Sequence, residues 1–380
     1  MKIAVLKETL AGEARVALIP DSIKRLVKKG FTVTVQAGAG ERSGFSDPDY
    51  EKVGAEIVPN PESLCGSADV VIKVQPPSSE EIGMCREGAA LISILQPYLR
   101  HDTVRQLADR RLSAFALDTI PRITLAQSMD VLSSMSTIAG YKAVIMAADS
   151  LNKFFPMLMT AAGTVRPAKV LVLGAGVAGL MACATAKRLG AVVEAFDVRP
   201  VVKEQVQSVG AKFIEVPVEE SGEADGGYAK EMSDDYKRKQ GELIAKHIAK
   251  SDVVVPTALI PGRKAPILIN EEMVKSMGAG SVIVDLAAEM GGNCELTEPG
   301  QTVVKHGVII VGPDNIPSTV PFHASQMFAK NIEKFLFHLA GDDGLKMDLE
   351  DEITVGSLIT HDGKVVQEMT LKIMNEAGGN

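Results

Sequence analysis

The stretch that decides the fold is Lys169-Val-Leu-Val-Leu-Gly-Ala-Gly-Val-Ala-Gly179. An apolar run from Lys169 to Leu173 meets Gly174, Gly176 and Gly179, and an alanine-rich stretch follows until Gly190 ends it. Ala191 to Phe196 then delivers Asp197. Strand, glycine turn, helix, second strand and acid is the order a dinucleotide site requires. The first glycine permits the tight turn and the second lets the backbone approach a pyrophosphate. The third lets the helix pack on its strand with its N-terminus facing the anion. An acid about 20 residues past the glycines accepts from an adenosine ribose and disfavours a 2′-phosphate. NAD(H) is therefore the expected cofactor, with Gly174, Ala175, Gly176, Val177, Ala178, Gly179 and Asp197 as its contacts.

At 380 residues the chain is too long for one core, and two domains are expected. Only 4% of residues are aromatic and Trp is absent, so aliphatic side chains must fill the core. That suits buried parallel strands covered by helices. The net charge of −8 argues against nucleic acid as a partner, because no basic block faces phosphates. No stretch is expected to reach the roughly 18 to 20 apolar residues of a membrane helix. The chain starts on a strand-like segment, Lys2 to Leu6, with no signal peptide evident. Cys65, Cys85, Cys183 and Cys294 are scattered with no CxxC pair. They read as reduced thiols of a cytoplasmic protein, with no metal site.

Strand signals at Ile3 to Leu6, Thr32 to Gln36, Val70 to Val74, Ala89 to Leu95 and Ser113 to Leu117 alternate with helical segments. One such segment is Asp21 to Lys29, with Asp21 as cap and Gly30 as stop. A second sheet is expected from Lys169 to Leu173, Val192 to Phe196, Lys212 to Val216, Asp252 to Pro256, Ser281 to Asp285 and Gly307 to Val311. Long helical patterns run from Thr124 to Ser150, interrupted only by Gly140, and from Phe322 to Leu339. The tail, Ile353 to Thr360 and Lys364 to Gln367, reads as a hairpin about Asp362-Gly363.

The expected fold class is thus α/β: two Rossmann-like doubly wound parallel-sheet domains joined by two long crossing helices. Residues 1–132 with 320–380 form an N-terminal α/β domain, and residues 133–319 form the nucleotide-binding Rossmann domain. The cleft between them would hold the nicotinamide end of the cofactor. Glu219 to Gly241 is polar and longer than an ordinary connection. It reads either as a solvated insertion or as a mobile lid, with Tyr228, Met232 and Tyr236 on one face.

A second constellation is Pro121-Arg-Ile-Thr-Leu-Ala-Gln-Ser-Met-Asp-Val-Leu-Ser133. Thr124 and Gln127 fit a capping box, and Asp130 would complement the helix dipole. Gln127, Asp130 and Ser133 also step by three beside Arg122, so they share a face and could serve a ligand. Lys7, Glu8 and Arg15 surround the loop after the first strand, where a substrate anion could bind or a surface pair form. Asp285 to Asn293 follows a strand and could line the nucleotide site. None of the six histidines sits in a strand-end loop facing the cleft.

Together these segments resemble the family containing alanine dehydrogenase and the NAD(H)-binding domain I of proton-translocating transhydrogenase. The likeness runs over almost the whole chain. It includes Lys7-Glu8, Gly12-Glu13, Arg15-Val-Ala, Gln36-Ala-Gly-Ala-Gly40, Ala68 to Lys73, Ala258 to Gly262, Val284 to Ala287 and Gly291 to Cys294. Dehydrogenases of the family carry a catalytic lysine where Gln75 stands and a catalytic histidine where Gln96 stands. They hold the substrate carboxylate with the residue matching Arg15. Oxidising an amino acid needs such an acid/base. Passing hydride between two nicotinamides needs only their alignment and exclusion of water.

The resemblance therefore implies the Si-specific, proton-translocating transhydrogenase branch, with hydride passing directly from NADH to NADP+ on a partner subunit. It assigns Arg122, Gln127 and Asp130 to catalysis. It assigns Arg122, Gln127, Asp130, Ser133, Val198, Arg199, Gly227, Tyr228, Ala258 and Leu259 to cofactor contact, with Tyr228 closing the lid. It also implies a homodimer, an NADP(H)-binding partner subunit and a membrane-spanning partner subunit. The chain stops at Asn380 without a membrane helix. The expectation is a separate peripheral subunit held by its partners on the inner face of the bacterial cytoplasmic membrane. A soluble amino-acid dehydrogenase and a non-catalytic NAD-sensing module remain the alternatives.

Overall fold

The computed structural model describes residues 1–216, 233–260, 264–341 and 344–378. It contains two units, Met1–Met135 with Pro317–Asn380, and Ser136–Ile316. In the first, Lys2–Val5 (β1), Thr32–Gln36 (β2), Glu56–Val58 (β3), Val70–Ile72 (β4), Ala90–Ser93 (β5) and Ser113–Ala116 (β6) pair in parallel as β6-β5-β4-β1-β2-β3. These runs are short and mostly buried, with Ile3, Ala4, Val5, Val70, Val71 and Ile72 fully so. That is the signature of parallel strands covered on both faces. β3 escapes a reading of the sequence because it is a half-exposed edge beginning with Glu56, with no buried run to betray it.

The helix after β1 spans Pro20–Lys28, and Asp21 does not cap it. Its N-cap is Ile19 with no side-chain hydrogen bond, and Pro20 at the first turn sets the helical φ instead. Asp21 pairs with Arg25 at 2.6 Å. The long C-terminal helix Pro321–Leu339 packs on this unit's sheet, with Phe335 edge-on to Phe115 at 5.7 Å. Its Glu333, itself buried, grips Arg25 at 2.7 Å.

In the second unit a small hairpin, Leu158–Thr160 (β7) and Gly163–Val165 (β8), precedes the main sheet. That sheet comprises Lys169–Leu173 (β9), Val192–Phe196 (β10), Lys212–Ile214 (β11), Val253–Pro256 (β12), Val282–Val284 (β13), Gln301–Lys305 (β14) and Val308–Gly312 (β15). Among the described residues its order is β11-β10-β9-β12-β13-β15-β14, and β14 alone runs antiparallel. The strand order reverses between β9 and β12, which is where an open α/β sheet binds its ligand. β7, β8 and β14 were not expected from sequence. Each is exposed or half-polar, so the apolar run that marks a buried strand is missing.

The chain then returns to the first sheet. Leu358–His361 (β16) and Lys364–Val365 (β17) extend it antiparallel beyond β6. Asp362 and Gly363 both adopt positive φ, 47° and 78°, as a two-residue hairpin turn requires. The segment expected to lead this hairpin as strand is partly helical, Glu352–Ser357. Asp351 starts that helix by accepting from the Thr354 amide at 2.7 Å.

The helix expected from Thr124 begins later. Thr124–Met129 is a 3-10 turn without a side-chain cap, and the α-helix is Val131–Ser150. Asp130 is its cap, accepting from the Ser133 amide at 2.9 Å and from Ser133 Oγ at 2.6 Å. The capping role read for Thr124 therefore belongs to Asp130. Gly140 does not interrupt this helix. A Cβ there would overlap the Ala178 carbonyl, so glycine lets the helix lie directly against the one that follows β9. Val131–Ser150 is also long and apolar enough to cross a membrane, contrary to the expectation that no such stretch exists. Its Ala143, Val144 and Ala147 lie instead in the core of the second unit.

Candidate functional site

The glycine loop is built by its own unit. Gly174 takes φ of 101° at the end of β9, and its amide donates to the Phe196 carbonyl at 2.8 Å. A Cβ on it would meet Thr257 Oγ1 at 2.6 Å, and one on Gly179 would overlap the Gly174 carbonyl. Both glycines are thus demanded by the protein's own packing. Gly176 differs. It precedes the helix Val177–Arg188, and a Cβ there would meet nothing within 4 Å. The open space lies beside the first-turn amides of Val177, Ala178 and Gly179, which have no partners within the helix. A pyrophosphate fits this cradle, with the helix dipole behind it.

Asp197 follows β10 and is 8% exposed. Its carboxylate accepts from the Ala175 amide at 2.7 Å, which ties the glycine loop to the next strand. It also receives the Arg199 amide at 2.9 Å and the Arg199 guanidinium side-on, Nε at 2.9 Å and Nη2 at 2.8 Å. Val198 packs against the core under this turn. Ala258 and Leu259 follow β12, and Asn293 clasps Ala258 through both its amide and its carbonyl, each at 2.9 Å. Asp285 in turn holds the Asn293 amide at 2.8 Å and is fully buried. Asp285 is therefore a brace for the Ala258 loop. Gly227 and Tyr228 lie outside the described residues.

In the first unit, Arg122, Gln127, Asp130 and Ser133 line one cavity of about 380 Å³ together with Pro121, Ile123 and Ala126. The sequence spacing of three does bring them together, though through a 3-10 turn and a helix cap. Ser133 and Asp130 are bound to each other, and Asn331 Nδ2 pins the turn by donating to the Ser128 carbonyl at 2.9 Å. Asn331 sits about 200 residues downstream in sequence, so no local signal marked it as a support for this loop. A wider cavity of about 780 Å³ lies near Phe31, Arg86 and Phe337, at the N-terminal ends of the strands. Ligands of α/β sheets bind at the opposite end.

The loops after β1 and β4 hold a buried polar network. Arg15 lays its guanidinium along Glu13, Nε to Oε1 at 2.8 Å and Nη2 to Oε2 at 2.6 Å. Gln75 Nε2 donates to Glu13 Oε2 at 2.7 Å, and Ser318 Oγ donates to Glu13 Oε1. Burial alone would raise the Glu13 carboxyl, but the hydrogen bonds and charge of Arg15 outweigh it and hold the group at about 2. Lys73 is fully buried between Glu81 at 2.7 Å and Glu8 at 3.9 Å. Burial pushes Glu8 up to about 7 against the pull of Lys73 and the Val74 amide. Glu8 and Arg15 are thus interior, not a surface pair.

Glu8 makes stability fall with rising pH. Its folded-state value lies above the unfolded one, so its contribution is complete below the unfolded value and lost as pH climbs through about 7. Glu8→Gln keeps the shape and removes the titration. The wild type should lose on the order of 3 kcal/mol relative to Glu8→Gln between about pH 5 and pH 8. Urea unfolding of both proteins across that range measures it, and parallel curves would exclude the assignment.

Residues 4–139 match the family described as Alanine dehydrogenase/PNT, N-terminal domain, and residues 143–368 match the Alanine dehydrogenase/PNT, C-terminal domain. The chain belongs to this family. The first of the two chains that make up NAD(P) transhydrogenase subunit alpha in Rhodospirillum rubrum is 51% identical over 375 residues, covering 96% of this chain and 98% of that protein. An alanine dehydrogenase of Halomonas elongata is 32% identical, covering 100% of this chain and 97% of that one. Among solved structures, the transhydrogenase from Sinorhizobium meliloti aligns with a TM-score of 0.85 at 44% identity, covering 97% of this chain and all of that one.

Within the alanine dehydrogenase/PNT family, the residue at 75 separates the two chemistries. Here it is an amide whose nitrogen is committed to Glu13. It neither gains nor loses a proton near neutral pH. Gln96, the other marker, takes a left-handed φ of 51°, its amide held by Asp118 at 2.9 Å. A non-glycine residue in that region is costly and persists only where its surroundings impose it.

Proposed function

We propose that this chain is the NAD(H)-binding peripheral subunit of a Si-specific, proton-translocating NAD(P)+ transhydrogenase. Gln75 carries the reading: an amide bound to a buried carboxylate stands where an amino-acid dehydrogenase needs a proton carrier. The transhydrogenase relatives that match at 45–51% identity support it.

The first-turn amides past Gly176 would take the pyrophosphate, and Asp197 would accept from the adenosine ribose. Arg122, Gln127, Asp130 and Ser133 would orient the nicotinamide and its ribose. When bound, the nicotinamide supplies the hydride. The chain's own residues hold the donor ring in register and keep water away, without moving a proton. The acceptor NADP+ would sit on a partner subunit, with a membrane-spanning subunit carrying the protons. The chain would act as a homodimer on the inner face of the cytoplasmic membrane.

The test mixes the purified chain with an NADP(H)-binding transhydrogenase subunit. NADPH and an NAD+ analogue with a distinguishable reduced spectrum are then added. Rapid hydride exchange that depends on both proteins is expected. With NAD+ and alanine alone, no sustained NADH production is expected. The reverse pair of results would establish an amino-acid dehydrogenase.

A further inference from the structure

Dinucleotide folds ordinarily carry either an acid for a 2′-hydroxyl or an arginine for a 2′-phosphate at the end of the second strand. This chain carries both, two residues apart and bound to each other. Asp197 and Arg199 form a side-on, two-point pair, with side chains 5% and 16% exposed. Resting on the reading that this unit binds NAD(H), we propose that Asp197 excludes NADP(H) chiefly by sequestering Arg199. Arg199 is then a latent 2′-phosphate ligand.

The physical argument begins with charge. The carboxylate is already neutralised by the guanidinium beside it, so simple repulsion of a 2′-phosphate is weak at this site. Discrimination must come from competition for the guanidinium. A 2′-phosphate could claim Arg199 only by stripping it from a buried carboxylate, and an unpaired buried carboxylate is costly. A ribose 2′-hydroxyl makes no such demand. It needs only an acceptor lone pair on Asp197, which keeps its other bonds to the Ala175 and Arg199 amides. The guanidinium fork suits a phosphate as well as a carboxylate, so releasing it creates the alternative site without new residues.

Asp197→Asn is the central variant. Its carbonyl can still accept from the Ala175 amide, but it no longer holds the guanidinium by charge. NADH and NADPH binding are read by nicotinamide fluorescence. Adenosine 2′,5′-bisphosphate, which has no nicotinamide, serves as competitor to place the effect at the adenosine end. The expected result is a gain in NADPH affinity of about 10- to 100-fold. The competitor should bind correspondingly tighter, and Asp197→Asn/Arg199→Met should lose the gain. No gain in a folded Asp197→Asn protein, or a gain surviving in the double variant, would overturn the proposal.

Arg199→Met alone gives an independent reading should Asp197→Asn fold poorly. It leaves the carboxylate bare, so NADPH should weaken relative to NADH by about tenfold. Unchanged or narrowed discrimination would count against the proposal. A wild type that fails to bind NADH would overturn the nucleotide-site reading itself, which these variants leave untouched.

Discussion

Gly176→Ala should leave the second unit near wild-type stability, within about 1 kcal/mol, while weakening NADH binding roughly 100-fold. The reason is where the added methyl goes. It meets no protein atom within 4 Å, so folding has nothing to resist it. The same space is the cradle proposed for the pyrophosphate, whose backbone approach a methyl blocks. Gly179→Ala should behave in the opposite way. Its methyl would overlap the Gly174 carbonyl, with no flexible side chain to give way. Loss of about 3 kcal/mol or more is expected, and nucleotide binding would fall only as a consequence. Calorimetry and NADH titration on both variants separate the two glycines. Equal destabilisation by both substitutions would refute the division between packing and ligand space.

Gln127→Asn should slow hydride exchange by about 10- to 100-fold while changing the NADH dissociation constant by less than about threefold. Gln127 is exposed and lines the cavity with Arg122, Asp130 and Ser133. Asp130 and Ser133 are tied to each other as a helix cap, so they supply rigidity, while Gln127 presents its amide on a longer arm. Shortening that arm by one methylene withdraws its amide without disturbing the cap. Affinity resides mainly in the pyrophosphate and adenosine contacts of the glycine loop, whereas rate depends on alignment of the ring. Steady-state exchange with saturating NADP(H) partner, beside direct binding, distinguishes the two. Parallel losses in rate and affinity would assign Gln127 to anchoring.

Strands with uninterrupted apolar runs were legible from sequence, because burial on both faces leaves an unmistakable composition. β3, β7, β8 and β14 were not, since edge and exposed strands lack it. Helix starts were misjudged where backbone geometry outvoted side-chain preference. Pro20 starts its helix without a cap, and Asp130 takes the role that Thr124-x-x-Gln127 advertised. No membrane-length apolar stretch was expected, yet the helix Val131–Ser150 is long and apolar enough to be one.

The order strand, glycine turn, helix, strand, acid was sufficient to determine the nucleotide class, because each residue answers a local steric or electrostatic need. The pair of glutamines at 75 and 96 likewise decided against amino-acid oxidation from identity alone. Partnership between distant groups was beyond the sequence. Only the folded chain joins Gln75 to Glu13, Asn331 to Ser128, Asn293 to Ala258 and the Asp197 carboxylate to both Ala175 and Arg199. A residue type states which bonds it is able to make. Which bond it makes depends on the neighbours that burial forces upon it.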